Sequence, residues 1–177
     1  EGFEGIFMTM LVEEMLKATG DSFDGKQVVV SGSGNVAIYA IEKVHELGGR
    51  VIACSDSGGY VVDEAGIDLE LLKEIKNGHR GRVAEYADRR ASAQFVAGGS
   101  IWHVPCQIAM PCATQNELND VDAGHLIKNG CMIVAEGANM PTTPEGVDIF
   151  LEHKILYGPG KAANAGGVSV SGLEMTQ

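Results

Sequence analysis

An α/β fold, with a doubly wound, mostly parallel sheet and helices on both faces, is what this sequence predicts, on three observations. β-Branched apolar runs of strand length alternate with segments of helical period, each run ends in a short loop containing Gly, Pro or Asn, and one strand–loop–helix–strand succession has the length of a βαβ unit. In sheets of this kind ligands bind beyond the carboxyl ends of the strands. The polar loops there are the places to look for chemistry.

Taken in order, Phe3, Ile6, Phe7, Met10 and Leu11 recur at the spacing of one helix face, which predicts a helix laying that stripe on the sheet and closed by Gly20. After the Asp21 to Gly25 turn cluster, Val28-Val29-Val30 reads as a strand buried on both faces. Gly32 to Asn35 make a tight loop. Val36, Ala37, Ala40, Ile41, Val44 and Leu47 then repeat with helical period up to Gly48-Gly49, and Val51-Ile52-Ala53-Cys54 is the second strand, so residues 27–54 form a βαβ unit with a parallel pair. Further helices are expected over Leu69–Lys76, Val83–Arg90, 117–128 and 144–153. Further strands are expected at Gln94–Val96, Ile108–Met110, Met132–Ala135 and Ile155–Tyr157. With no linker and no internal repeat, residues 1–177 read as one domain.

Composition narrows the function. A hydrophobic share of 45% and a charged share of 21% suit a folded soluble domain, and no apolar run is long enough to span a bilayer. A formal net charge of −11 argues against broad contact with nucleic acid or an anionic membrane, both of which need clustered Lys and Arg. Cys54, Cys106, Cys112 and Cys131 lie in or beside apolar segments without CxxC or CxxH spacing, and read as reduced buried thiols of a cytoplasmic protein. Residue 1 is Glu, no signal segment follows, and Val168 to Gln177 reads as a helix without a stop. The expectation is a domain cut from a longer chain.

The most specific local motif is Gly32-Ser33-Gly34-Asn35-Val36-Ala37, a GxGxxA pattern between a strand and a helix. There Gly32 permits the turn, Gly34 lets a pyrophosphate approach the backbone, and Ala37 lets helix and strand pack closely, which makes this a Rossmann-like dinucleotide-binding domain. Asp56, at the end of the second strand, has about the spacing at which a carboxylate binds the adenosine ribose and favours NAD. Against it, Ser57 follows directly, and Lys76, His79, Arg80 and Arg82 form the one dense basic cluster, which suits a 2′-phosphate; the balance is read toward NADP, with NAD possible. A solvated helix-end face is the plain alternative for that cluster. Polar residues also break the core pattern at Ser55–Ser57, Cys112–Asn116, Glu136–Pro141, Lys161–Asn164 and Ser169–Ser171, as ordinary turns do and as loops that bind ribose or carboxamide do. The five histidines lack metal-ligand spacing, and no G-x-S-x-G, H-E-x-x-H or Walker pattern is present.

Taken together, Gly32–Ala37, Pro111–Leu118, Ala135–Pro141 and Pro159–Val168 resemble hexameric glutamate dehydrogenases, from about Met15 to Gln177 and closest to the NADP-linked microbial branch. Leucine, phenylalanine and valine dehydrogenases look less similar around Glu136–Pro141. The resemblance departs at Glu1–Phe7 and between Asp63 and Lys76, where this chain looks a few residues short.

The resemblance implies Gly32, Gly34 and Ala37 at the pyrophosphate turn, Asn35 and Asn164 near the nicotinamide, and Thr114 and Gln115 near its ribose. Ser33, Val36, Ala113 and Asn139 complete the expected cofactor surface, with Asp56, Ser57, Lys76 and Arg82 at the adenosine end. Ser171 matches the position that reaches the substrate side-chain carboxylate, and Val168 lines that pocket. The implied reaction of the parent enzyme is reversible oxidative deamination of L-glutamate to 2-oxoglutarate and ammonia. The domain that supplies the family's catalytic lysine and aspartate is absent, so no catalytic residue and no metal is assigned here. The parent is expected to be a homo-hexamer and this piece an inactive monomer. A non-catalytic nicotinamide-nucleotide module, such as a redox sensor, is the alternative from a different class.

Overall fold

The computed structural model describes residues 3–78 and 81–160. Helix α1 (Phe3–Ala18) is followed by β1 (Gln27–Val30), α2 (Asn35–Glu46), β2 (Arg50–Asp56) and β3 (Gly59–Asp63). Helix α3 (Leu69–Lys73) runs into one π turn at Glu74–Gly78, and α4 (Val83–Arg89) and β4 (Ala93–Ala97) come next. The chain then passes through a 3-10 turn (Ile101–His103), β5 (Ile108–Met110), α5 (Asp120–Lys128), β6 (Ile133–Ala135), α6 (Pro144–Glu152) and β7 (Leu156–Gly158).

The seven strands form one sheet in the order β4-β3-β2-β1-β5-β6-β7. The β1–β2, β1–β5, β5–β6 and β6–β7 pairs are parallel; the β2–β3 pair, a hairpin, and the β3–β4 pair, joined through α3 and α4, are antiparallel. This is the doubly wound α/β architecture of the Rossmann type. Side chains alternate across it: Val28, Val30, Ile108, Met110, Ile133 and Ala135 pack under α1 to α4, whereas Val29, Ala109 and Val134 pack under the 3-10 turn, α5 and α6. A register shift opposite Val28 and Val29 puts both Ile52 and Ala53 on the second side. Strand order reverses at β1, so the loops after β1 and β5 open side by side.

Strand β3 is absent from the sequence-based expectation. Its β2–β3 register pairs Asp56 with Gly59, leaving Ser57-Gly58 as a two-residue hairpin loop, a turn signal masked because Tyr60–Val62 is so short a run. The expected helix over Leu69–Lys76 stops being α-helical at Lys73, and the expected helix at 117–128 begins only at Asp120. There Asn119 and Asp122 form a capping box that ends the preceding loop.

The stripe expected to bury α1 is overturned at three of its five positions. Phe3, Phe7 and Met10 are exposed; of the expected stripe Leu11 does face the core, but Met8, Val12, Met15 and Leu16 join it there instead of the others. Gly5 sets this rotation, because a Cβ there would lie 2.3 Å from the Val36 carbonyl oxygen of α2. Only the glycine side of α1 can approach so closely. Thr9, fully buried on the same side, donates back to the Gly5 carbonyl at 2.7 Å.

At the amino-terminal edge of the sheet, the half-buried ring of His45 accepts a hydrogen bond from the Val51 amide through Nε2 at 3.3 Å, and burial holds its pKa below the ordinary value. A depressed histidine adds stability above its unfolded pKa of about 6.5 and loses it as pH falls through the lower native value. Thermal melts at pH 7.5 and 5.5 should therefore show a fall on acidification that shrinks in His45→Gln. An undiminished fall in that variant would reject the assignment.

Candidate functional site

Three loops at the carboxyl edge of the sheet are laced together by backbone and hydroxyl hydrogen bonds. Ser31, buried at the end of β1, donates its amide to the Met110 carbonyl at 3.1 Å and accepts from the Cys112 amide through Oγ at 2.9 Å. The Gly32 amide donates to Ser55 Oγ at 2.8 Å. After β6, the Gly137 and Ala138 amides both donate to the Pro111 carbonyl, at 2.9 and 3.1 Å. Gly32 adopts a φ of +89°, and a Cβ on it would lie 3.1 Å from the Cys112 carbonyl oxygen, so glycine serves both the turn and the close approach.

Between these loops lies a cleft of about 500 Å³. Gly32, Ser33 and Gly34 form its floor, Ala113 and Thr114 one side, and Asp56 and Ser57 the end. Tyr60, Gly98, Gly99 and Trp102 close the far wall. Gly34 caps α2 with nothing within 4 Å of where its Cβ would stand, so the helix N-terminus opens onto free space. Asn35 is exposed and Val36 half-buried on the first turn of α2, and the fully buried Ala37 packs against the sheet. Gln115 and Asn139 are exposed on neighbouring loops and do not line the cleft. Asn164, Val168 and Ser171, with His79 and Arg80, lie outside the described residues.

The end of the cleft decides its charge. Asp56 Oδ1 accepts from the Gly58 amide at 2.8 Å, and Oδ2 accepts from the Val83 amide at 2.9 Å with Lys76 Nζ at 3.8 Å. Both carboxylate oxygens are thus engaged in holding the β2–β3 turn and the start of α4. Arg82, exposed at the N-cap of α4, donates from Nη1 to Ser57 Oγ at 2.8 Å. A neutralised carboxylate beside an exposed hydroxyl and guanidinium suits an anion better than a diol.

Ser31 and Glu117 were missed as site residues, whereas Ser55 was expected only as part of the polar segment Ser55–Ser57. Ser31 stands out in the sequence only as the first polar residue after an apolar strand. Glu117 accepts from the Ala113 and Thr114 amides at 2.9 and 3.0 Å, holding the cleft-side loop. Burial raises its pKa, partly opposed by hydrogen bonds from Ser31, Thr114 and Ala113. The Gly98-Gly99-Ser100 cluster was the available signal for the far wall. A second hollow of about 530 Å³ opens at the opposite edge of the sheet, where Arg90 is already bound to Asp63 and to Asp68 at 3.5 Å. Its strongest donor is spent on the fold.

Residues 4–177 match the family model described as Glutamate/Leucine/Phenylalanine/Valine dehydrogenase. The chain is 57% identical over 179 residues to a glutamate dehydrogenase of Bacteroides thetaiotaomicron, across 99% of this chain and 39% of that protein. It is 56% identical over 172 residues to an NADP-specific glutamate dehydrogenase of Helicobacter pylori, across 93% of this chain and 38% of that one. Among solved structures, Plasmodium falciparum glutamate dehydrogenase superposes with a TM-score of 0.88 at 44% identity, covering 98% of this chain and 38% of its own. The chain therefore spans under two fifths of the length of these relatives.

Proposed function

Because the chain belongs to the glutamate/leucine/phenylalanine/valine dehydrogenase family, we propose that its residues 1–177 are the single coenzyme-binding domain of an NADP-linked glutamate dehydrogenase. The observation that carries the cofactor choice is the Asp56–Ser57–Arg82 arrangement at the end of the cleft. The names of the relatives support the substrate.

The residues present fit a dinucleotide. Open space over Gly34 at the start of α2 would admit a pyrophosphate to backbone N–H groups, and the strand order reverses beside that point, where sheets of this kind bind nucleotides. Ser57 and Arg82, with Lys76 behind them, would hold the 2′-phosphate, and Ala113 and Thr114 would flank the nicotinamide half. Bound there, the nicotinamide supplies the hydride acceptor for oxidation of the α-carbon of L-glutamate, the step that leads to 2-oxoglutarate and ammonia. This chain's share is to bind and orient. Ser31 and Ser55 fix the glycine turn, Glu117 fixes the facing loop, and Asp56 holds the hairpin and helix that present Ser57 and Arg82. Proton transfer is left to the remainder of the parent enzyme, whose closure over the cleft would exclude water.

Titrating the purified chain with NADPH and with NADH, followed by nicotinamide fluorescence, tests this reading. NADPH should bind at least about tenfold more tightly, the worth of one charge-assisted contact. The chain alone should not turn over glutamate, whereas the full-length parent should. Failure to bind either nucleotide would overturn the proposed site, and a preference for NADH would overturn the NADP assignment.

A further inference from the structure

The cysteines not used by the cleft include a matched pair. Strands β5 and β6 run parallel with Ile108 opposite Ile133 and Ala109 opposite Val134. Cys106 and Cys131 each stand two residues before the first of these pairs, so they face one another across the entrance to the two strands. The segments are already joined there, with the Gln107 carbonyl accepting from the Met132 and Ile133 amides at 2.8 and 3.3 Å. Neighbouring strands lie about 4.8 Å apart, within the Cα separation that a disulfide spans. Both thiols are buried, at 3% and 4% exposure, in the same apolar cluster with Trp102 and Leu126.

We propose that Cys106 and Cys131 are a cross-strand dithiol that a peroxide converts into an intramolecular disulfide, a modification site at the edge of the sheet opposite the nucleotide cleft. The contact between the two sulfurs raises the pKa of Cys106 and lowers that of Cys131, whose S–H is held on the Ile133 carbonyl at 3.3 Å, so Cys131 is the more readily deprotonated of the pair. The Cys131 sulfur attacks one oxygen of hydrogen peroxide, the O–O bond breaks, and a sulfenic acid and water result. Cys106, losing its proton, then displaces the sulfenic oxygen as a second water and forms the S–S bond. The sum is two thiols and one peroxide giving one disulfide and two waters.

Position makes the step accessible despite burial. Cys131 follows Gly130 in the turn that ends α5, and Cys106 lies in the irregular stretch between the 3-10 turn and β5, so opening requires fraying at the ends of β5 and β6 rather than of the core. The other two thiols have no such partner. Burial pushes Cys54 up to about 12, and burial with the nearby Glu117 charge pushes Cys112 up as well. The cross-link would close the segment from 106 to 131, which carries the Ala113–Thr114 side of the cleft.

The test is exposure of the native chain to hydrogen peroxide, followed by thiol counting in denaturant, intact mass and peptide mapping. The expected result is loss of two of the four thiols, a mass lower by two hydrogens, and one peptide pair linking Cys106 to Cys131. The melting temperature should rise and return to its starting value with dithiothreitol. Cys131→Ser should keep all of its remaining thiols free of cross-links. Four thiols surviving in the wild-type chain, or a disulfide that joins other cysteines or two molecules, would overturn the proposal; the wild-type mapping does not depend on the folding of any variant.

Discussion

Arg82→Ala should weaken NADPH binding roughly thirtyfold, about 2 kcal/mol for one charge-assisted contact, and change NADH binding by less than about twofold. Arg82 is exposed, and among the described residues its side chain donates to Ser57 Oγ at 2.8 Å, so truncation leaves no buried charge there and should spare the fold. The contrast with Asp56 is informative. Asp56 binds the Gly58 and Val83 amides and approaches Lys76, so it is built into the scaffold that presents Ser57 and Arg82. Fluorescence titration of wild type and variant with both nucleotides measures the effect. Equal loss for NADPH and NADH would mean that Arg82 does not discriminate the 2′-phosphate.

Asp63→Ala should destabilise the chain by about 3 kcal/mol, read from urea unfolding, because removing one partner of a buried ionic network strands the others. Asp63 is fully buried at the end of β3. It accepts from Tyr86 Oη at 2.7 Å, Ser92 Oγ at 2.8 Å and the Ala65 amide at 3.2 Å, and pairs with the Arg90 guanidinium. Tyr86 Oη in turn accepts from the Asp68 amide at 2.7 Å, so the network joins β3, α4 and the loop before α3. Burial alone would raise this carboxyl, but the hydrogen bonds from Tyr86, Ser92 and Arg90 outweigh it and hold its pKa below the ordinary range. The sign follows. The contribution is present above the unfolded pKa of about 3.9 and is lost as pH falls through the lower native value, so the gap between variant and wild type should narrow in acid. A loss under about 1 kcal/mol at neutral pH would show that the network is not structural. Since α4 begins one residue after Arg82, a loosened network should also blunt NADPH preference.

The two results bear on one feature, the antiparallel β3–β4 edge and the helix packed on it. That edge is where sequence reasoning was weakest. Val28-Val29-Val30 and Ile108-Ala109-Met110 could be placed as strands because each is an apolar run buried on both faces, needing only local composition to be recognised. Gly32–Ala37 could be placed because turn, helix start and close packing each require a particular small residue. Tyr60–Val62 alternates too briefly to announce a strand, and its pairing with Phe95 and Val96 joins residues far apart in the chain. On α1, apolar residues surround so much of the helix that period alone could not choose a face. The choice fell to Gly5, through its contact with the Val36 backbone.

For the site, local chemistry within a few residues determined the glycine turn, the polar loops at the strand ends and the candidate acidic and basic residues at the end of the cleft. Their division of labour depended on contacts across 20 or more positions: Lys76 and the Val83 amide come to Asp56, and Arg82 comes to Ser57. A carboxylate's meaning depends on whether its lone pairs are already taken, and that is a property of distances in space. The sequence by itself therefore determined the doubly wound fold and the glycine turn, through propensity, period and steric need. Only the tertiary structure decided that Asp56 is engaged by the scaffold while Ser57 lines the cleft with Arg82 bound to its hydroxyl, because that choice is made by hydrogen bonds between segments the chain brings together only on folding.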